Sequence, residues 1–494
     1  LFLQPTDANN QSTSFDPGVF NPANAATIDL NGNLCTVAAA AQCVGATPNP
    51  NFDPNNGIII GNVNSPFGKA VAPTSKLLFQ PRIGVAWDPS GSGKTSLRAG
   101  YGVFVESPGV NYVENPEFGN PPFVQNLVIN STLLNDPLAG QAVNNAVPSI
   151  AGVATKWHQP YVQQYNFDIQ QQMPSNIVFD IGYYGSKGTH LLAAEDINQP
   201  IPGAYATSPI VQAAFAANGV DPGSQLTSDT SQLINGIRPF PGWGSIDIYV
   251  PEFKSNYNSL QTSLQKRFAG GSLVAVNYTW SKSLTNEPND PNFTVPQNTF
   301  DIASEYGPTR FDRRHVFTAD FVYEIPWLRN QAGFLGHVLG GWELSGVVNI
   351  QSGAWLTAGT ASNNDPGGVA ASANSFGNAL RPDQIADANA GAAHTADQWF
   401  NTAAFVDVPD GQFRVGNARR ASILGPGQQR WDLSLFKNFK FTERTSLQFR
   451  TEAFNVFNHT NFAGVGTTLG AEDFGTITSA HDPRILQLGL KLNF

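Results

Sequence analysis

Charge is scarce in this 494-residue chain: Asp, Glu, Lys and Arg together make up 13% of it, against roughly 25% in soluble globular domains. The charge that is present leans acidic, to a net −10. That excludes a nucleic-acid-binding surface, which needs a basic patch to neutralise phosphates. No run of about 18 apolar residues occurs, so no transmembrane helix is encoded. A membrane is not thereby excluded, because a spanning β-strand needs only about 9–11 residues and is apolar at every second one. Cysteine occurs twice, as Cys35 and Cys43 in an Asn/Ala/Gly-rich stretch. Two cysteines cannot build a zinc site unaided. They read as a small loop disulfide in an oxidising, exported setting, with two free thiols as the alternative.

Aromatic residues, by contrast, reach 11%, with 34 Phe against a single Met. Mean hydropathy is still slightly negative, at −0.20, because Asn, Gln, Ser and Thr are abundant throughout. Few charges, many rings and many neutral polar groups suit strands with one greasy and one wet face. A secreted all-β protein shares that bias. The chain opens Leu-Phe-Leu, with no initiator Met, basic n-region or signal peptide, so it reads as a fragment whose beginning is missing.

Residues 1–76 show little periodicity and read as a loop-rich segment, with one short strand expected at its start. From about Leu77 to Phe494 a pattern repeats some 13 to 16 times, in segments of about 8–14 residues with period-two apolarity. In 257–268, Leu260, Thr262 and Leu264 oppose Gln261, Ser263, Gln265 and Arg267. In 272–281, Val274, Val276, Tyr278 and Trp280 alternate with Ala275, Asn277, Thr279 and Ser281. In 342–351, Trp342, Leu344, Gly346, Val348 and Ile350 alternate with polar partners. Segment 445–453 sets Leu447, Phe449 and Ala453 against Gln448, Arg450 and Glu452. The last segment sets Leu486, Leu488, Leu490, Leu492 and Phe494 against Gln487, Lys491 and Asn493. Helical patterns are nearly absent; the Ala-rich stretches 211–217 and 385–396 are the candidates for short loop helices.

The connections are unequal. Tight turns at 268–272 and 439–444 alternate with long stretches at 106–155, 194–244, 283–308 and 359–411, rich in Asn, Asp, Gly and Pro. Short turns on one side and long loops on the other are the mark of an outer-membrane barrel. A barrel also satisfies both faces, the apolar one against lipid and the polar one against a lumen, and it removes the sheet edges that lipid does not tolerate. The polar candidates for the lumen are Gln448, Arg450, Glu452, Gln487 and Lys491. Trp87, Tyr183, Tyr184, Trp280, Tyr323, Trp327 and Trp431 suit interfacial girdles. The expected fold is therefore all-β: a large antiparallel transmembrane β-barrel with long extracellular loops, one of them being residues 1–76.

Several motifs invite other readings. Asp88-Pro-Ser-Gly-Ser-Gly-Lys-Thr95 resembles a phosphate-binding loop, but Asp88 stands where that pattern needs Gly, and 96–104 alternates as a strand rather than opening a helix. A hairpin turn is the better reading. Histidines 158, 190, 315, 337, 394, 459 and 481 are scattered without metal-ligand spacing. The Asn/Asp-rich stretches 286–292 and 363–368 offer oxygen ligands but not a calcium-loop pattern; solvated loop tips explain them. Phe311-Asp-Arg-Arg-His315 reads either as a contact to a plug or an anionic substrate, or as pairing within the wall to Asp312 and Asp320, the latter preferred. No triad, carboxylate pair or cofactor motif marks an enzyme.

Two sets of residues carry a family resemblance. The ending Arg484-Ile-Leu-Gln-Leu-Gly-Leu-Lys-Leu-Asn-Phe494 looks like the terminal signal by which the barrel assembly machinery recognises outer-membrane proteins, with Leu486, Leu488, Leu490, Leu492 and Phe494 as its apolar row. Pro81-Arg-Ile-Gly-Val-Ala-Trp-Asp88, Arg98-Ala-Gly-Tyr-Gly-Val-Phe104, Phe311-Asp-Arg-Arg-His315, Gly340-Gly-Trp-Glu-Leu-Ser-Gly346 and Arg450-Thr-Glu-Ala-Phe-Asn-Val-Phe-Asn-His459 resemble TonB-dependent receptors of the Oar-like, carboxypeptidase-regulatory-like-domain type. The resemblance implies a barrel of 22 strands in the cell outer membrane of a Gram-negative-type bacterium. It further implies uptake of an unidentified large substrate, energised by the TonB complex through an N-terminal region not visible here, together with a signal peptide and plug also not visible. It implies no cofactor. A passive outer-membrane channel or surface adhesin is the alternative, and a secreted β-rich carbohydrate-active enzyme the third reading.

Overall fold

The computed structural model describes the chain outside residues 1–5, 7, 108–118, 125–145, 228, 269–270, 289–294, 362–363, 370–379 and 443. Its body is a single 13-stranded sheet. Eleven strands form a continuous wall in chain order: β1 (Arg82–Trp87), β2 (Thr95–Val105), β3 (Tyr161–Met173), β4 (Ile177–Asp196), β5 (Ile246–Arg267), β6 (Leu273–Thr285), β7 (His315–Glu324), β8 (Trp342–Gln351), β9 (Gln428–Lys440), β10 (Ser446–Phe454) and β11 (Ile485–Asn493). Each wall strand pairs antiparallel with the next. Two short strands, Ile150–Val153 and Gly307–Pro308, pair with β5 and β6 beside this path. The wall is an open sheet: β1 and β11 are its edges and do not meet.

Register aligns the period-two pattern from strand to strand. One row runs Ile83, Tyr101, Tyr165 at β1–β3, and further along the wall Ile181, Thr262, Val276, Ala319, Val348, Leu433 and Ala453 fall on the same face. At the far edge Leu447, Phe449, Thr451 and Ala453 stand opposite Leu492, Leu490, Leu488 and Leu486. On the edge strand β11 both faces are exposed, Leu488 and Leu490 at 69% and 71%, so no compact core covers its apolar row.

Odd-numbered connections are short. The turn 88–94 is closed by Asp88, whose carboxylate accepts from Ser90 N (3.0 Å) and Gly93 N (2.6 Å). The turn after β3 uses Ser175 and Asn176 at positive φ, the left-handed geometry that suits tight hairpins. The connection between β7 and β8 is the long member of this set and carries a helix, Gly333–Leu339.

All other connections leave from the opposite end and are long. Their described residues pack into apolar clusters. β4 and β5 have 20 and 22 residues, about twice what a bilayer needs. Their outer halves pack into an apolar cluster of Phe15, Ile58, Ile150, Trp243, Ile246, Ile248 and Phe253. Residues of the 1–76 segment thus sit on the long-loop end, where Thr13–Phe15 pairs with Ile58–Ile60 and Cys35 is disulfide-bonded to Cys43. A second cluster gathers Tyr205, Val211, Phe215, Leu226 and Ile234 around the helix Pro209–Ala217. A third joins Ala358, Phe400, Phe405 and Ile423 with Phe474, and at about 1.5–3 kcal/mol per fully buried large apolar side chain these cores hold the loops as one layer.

Three expectations need correction. Stretch 385–396 forms no helix: Asp387 Oδ1 accepts from Asn389 N (2.9 Å) and Gly391 has φ 67°, so the chain turns. Tyr184 lies on the polar face, opposite Ser259, while Tyr183 lies on the apolar one opposite Leu260. The preferred pairing of the 311–315 cluster holds only for Asp312, which accepts from Arg314 (3.2 Å) and from Trp355 Nε1 (3.0 Å). No ion pair joins Asp320 to that cluster among the described residues; it stands up β7 opposite Val347.

Candidate functional site

The second face of the wall is built of the alternate residues, and it is wet. From β2 to β6 it carries Arg98, Asp168, Asp180, Tyr184, Ser259, Gln261, Ser263, Asn277 and Thr279, brought together by register. Arg98 sits between two carboxylates, 3.1 Å from Asp168 and 3.5 Å from Asp180. From β8 to β11 the row continues through Ser345, Asn349, Arg430, Asp432, Ser434 and Asn438. Arg430 pairs with Asp432 at 2.9 Å.

The five polar candidates fall together at the end of this row. Gln448 is opposite Lys491, and Glu452 opposite Gln487. Gln448 donates to Asn438 Oδ1 (2.9 Å) and accepts from Arg450 Nε (2.6 Å), and the Arg450 guanidinium lies 5.5 Å from the Phe436 ring centroid. Phe436 and Val347 interrupt the polar face without reversing it. Leu486, Leu488, Leu490 and Leu492 occupy the other face of β11.

At the long-loop end a polar network ties the loops over the wall. Glu305 and Arg381, both buried, form a bidentate pair at 2.8 Å for each bond. Gln297 links them to the next loop, accepting from Arg381 N (2.7 Å) and donating to Gly416 O (2.9 Å). Arg420 donates to the carbonyls of Glu305 (2.9 Å) and Thr285 (2.6 Å); burial lowers its affinity for a proton, with Glu305 and Glu287 opposing. Hydrogen bonds from Arg414 hold the Asp383 carboxyl below the usual carboxylate range. Behind this layer Asp196 accepts from Ile246 N (2.9 Å) and pairs with Arg238 at 3.4 Å. A cleft opens between the loops, lined by Gln297, Glu305, Arg310, Trp355, Arg381 and Arg420. Two of its three guanidinium groups are already engaged, Arg381 by the Glu305 carboxylate and Arg420 by backbone carbonyls.

One buried carboxyl stands apart. Glu195, on the part of β4 covered on its faces by loop residues, is 7% exposed. Burial, with some repulsion from Glu252, pushes its pKa up to about 8. Sequence reading missed it, as it missed Glu305 and Arg381, because nothing local distinguishes a buried loop carboxylate from a solvated one.

The motifs singled out in the sequence prove architectural. Asp88 closes a hairpin turn, and hydrogen bonds from Gly93 and Ser90 hold its carboxyl below the ordinary range. Asn455 caps β10, donating to His459 O (2.9 Å) while its backbone N–H donates to Asp432 (2.8 Å). Gly341 has φ 77°, and a Cβ there would come within 2.5 Å of Asn438 O. His158 stacks on His190 with ring centroids 5.0 Å apart, and no group of three or more metal-ligating side chains occurs among the described residues. The stretches 286–292 and 363–368 lie partly outside the described residues; Asn364–Asp365 pairs with Leu226–Thr227.

A two-faced wall with short turns at one end and a packed loop layer at the other has a match among family models: the family described as outer membrane beta barrel domain, over residues 1–487. The chain belongs to this family. Its apolar face is accordingly the lipid face, its place is the outer membrane, and its family is one of membrane barrels rather than enzymes. No curated protein matches this outer-membrane barrel chain. Among solved structures it is similar to the outer membrane transporter YddB from Escherichia coli, at 10% identity and TM-score 0.44 over 84% of this chain and 40% of that one. It is also similar to the ferric-catecholate import receptor Fiu from E. coli, at 10% identity and TM-score 0.37 over 87% and 38%. A third is the pyoverdine receptor FpvA from Pseudomonas aeruginosa, at 12% identity and TM-score 0.36 over 84% and 36%. The barrel chain thus spans well under half the length of each of these proteins.

Proposed function

We propose that this chain forms the wall and outer loops of a TonB-dependent uptake receptor. The observation that carries the reading is the polar face, which recurs from β2 to β6 and from β8 to β11 and is laid beneath a packed loop layer at one end only. Closed into a barrel with the further strands the reading supplies, such a wall would enclose more space than side chains fill, so the charged row from Arg98 to Arg450 faces water or another domain. In this reading Gln448, Arg450, Glu452, Gln487 and Lys491 face the lumen. Residues 1–76 belong to an extracellular loop and 77–494 to the wall. Leu486, Leu488, Leu490, Leu492 and Phe494 present the strand that the assembly machinery reads. A large substrate enters through the loop cleft, and energy arrives through TonB and a plug. The Oar-like subclass rests on the sequence motifs.

The test is reconstitution of the full-length receptor in planar bilayers, with capture by the periplasmic domain of TonB. Closed bilayers with TonB capture are expected. Steady conductance without capture would replace the transporter with a passive channel.

A further inference from the structure

The short-turn end of the wall has one member unlike the others. The connection 325–341 exposes Trp327, Leu328, Phe334, Leu335, Val338 and Leu339, with Phe334 83% and Trp327 71% exposed. On the helix Gly333–Leu339 the arrangement of a globular protein is inverted. At about 100° per residue, Phe334, Val338, Leu335 and Leu339 cover one arc of roughly 140°. The buried residue is Gly336, on the opposite side. Its small face is pressed to the protein, and its large apolar face is presented outward.

The position of this helix follows from its anchors. Trp342 and Lys437 face each other across β8 and β9 on the same face as Leu344, Leu433 and Leu435, the lipid face of the wall. Trp342 Nε1 donates to Val338 O (3.0 Å), and Lys437 Nζ donates to Gly340 O. The Lys437 ammonium also lies 5.3 Å from the Trp342 ring and 5.0 Å from that of Phe439. At the foot of the wall Gln331 donates to Asn438 O (2.7 Å) and accepts from Lys440 N (3.1 Å). The helix is therefore pinned beside the base of the apolar face and continuous with it, with exposed Phe441 on the next turn. Arg329, in the same connection, pairs with Glu324 at 3.0 Å.

The geometry points to a membrane-surface anchor: residues 327–339 lie in the headgroup and upper acyl region of the inner leaflet, with Phe334, Leu335, Val338 and Leu339 as the inserted face and phospholipid as the occupant. An interfacial helix of this kind buries its apolar face some 5–10 Å deep. The anchor fixes the height of the wall at its periplasmic rim next to β8 and β9. It rests on the outer-membrane placement but on none of the transport reading.

The test uses the full chain with single labels at Phe334→Cys, Val338→Cys, His337→Cys and Leu488→Cys, in vesicles of phosphatidylethanolamine and phosphatidylglycerol bearing nitroxide at a shallow or a deep acyl position. The proposal expects Phe334 and Val338 labels to be quenched at least threefold more by the shallow nitroxide than by the deep one, with the His337 label quenched less than either. An unquenched Phe334 label beside a quenched Leu488 label overturns the anchor and leaves the membrane placement intact. Quenching at neither position overturns both. A second variant, F334D with L335D, removes only exposed side chains. Quenching of the Val338 label should then fall at least threefold while the folded band on gels persists; undiminished quenching also overturns the proposal.

Discussion

An arginine on either face of the wall separates lipid from lumen at nearly constant depth. Ile181 is the fifth residue of β4 and stands on the apolar face between Ile169 and Thr262. At about 3.3 Å per residue and a tilt of about 45°, it lies about 12 Å above the short turn, half-way up an apolar band about 25 Å tall. Gln261, opposite Gly182 and Thr279 on the polar face, lies at the same level within one residue. Ile181→Arg places a charge at the midplane and should destabilise the protein by about 2–4 kcal/mol. Gln261→Arg meets water or polar neighbours and should change stability by less than about 0.5 kcal/mol. Reversible urea unfolding in lipid vesicles, followed by tryptophan fluorescence, reads both. Equal losses, or a larger loss for Gln261→Arg, would refute the assignment of faces.

Glu195→Gln should stabilise the loop layer at alkaline pH. The native carboxyl titrates at about 8 against about 4.5 when unfolded, so between these values the folded state holds a proton that the unfolded state has released. Stability from this group falls as pH rises across that window, by a few kcal/mol in all. Hydrogen exchange of residues 191–196 should accelerate from pH 5 to pH 8 in the parent, after correction for intrinsic rates, and stay level in Glu195→Gln; a level parent would contradict the buried carboxyl. Arg381→Met strands the Glu305 carboxylate and should loosen the loops by about 3–5 kcal/mol, seen as limited proteolysis within 352–427 with the wall intact. Unchanged cleavage would show that the pair does not hold the layer.

The wall was legible in the sequence because its rule is local. The alternation of Leu447 and Phe449 with Gln448 and Arg450, and of Leu486 to Leu492 with Gln487 and Lys491, becomes the two faces of β10 and β11 through register alone. The split between short turns and long loops was legible for the same reason. What the loops do at their far ends was not. Glu305 and Arg381 are 76 positions apart, and Phe15 meets Trp243 (ring centroids 6.4 Å apart) through contacts no periodicity announces. The helix Gly333–Leu339 escaped because its two glycines look like a turn and its apolar residues face away from the protein. Tyr184 was misassigned by position along the strand; its parity decides its face. The loop cleft was invisible for want of any local code.

A nitroxide scan along β6 in bilayers, with oxygen and a water-soluble nickel chelate as competing relaxing agents, tests the two-faced wall most directly. Labels at Val274, Val276 and Tyr278 should show oxygen maxima, and labels at Ala275, Asn277 and Thr279 nickel maxima, the two profiles alternating out of phase. Profiles in phase, or nickel reaching Val276 as freely as Asn277, would mean that no lipid touches the apolar row.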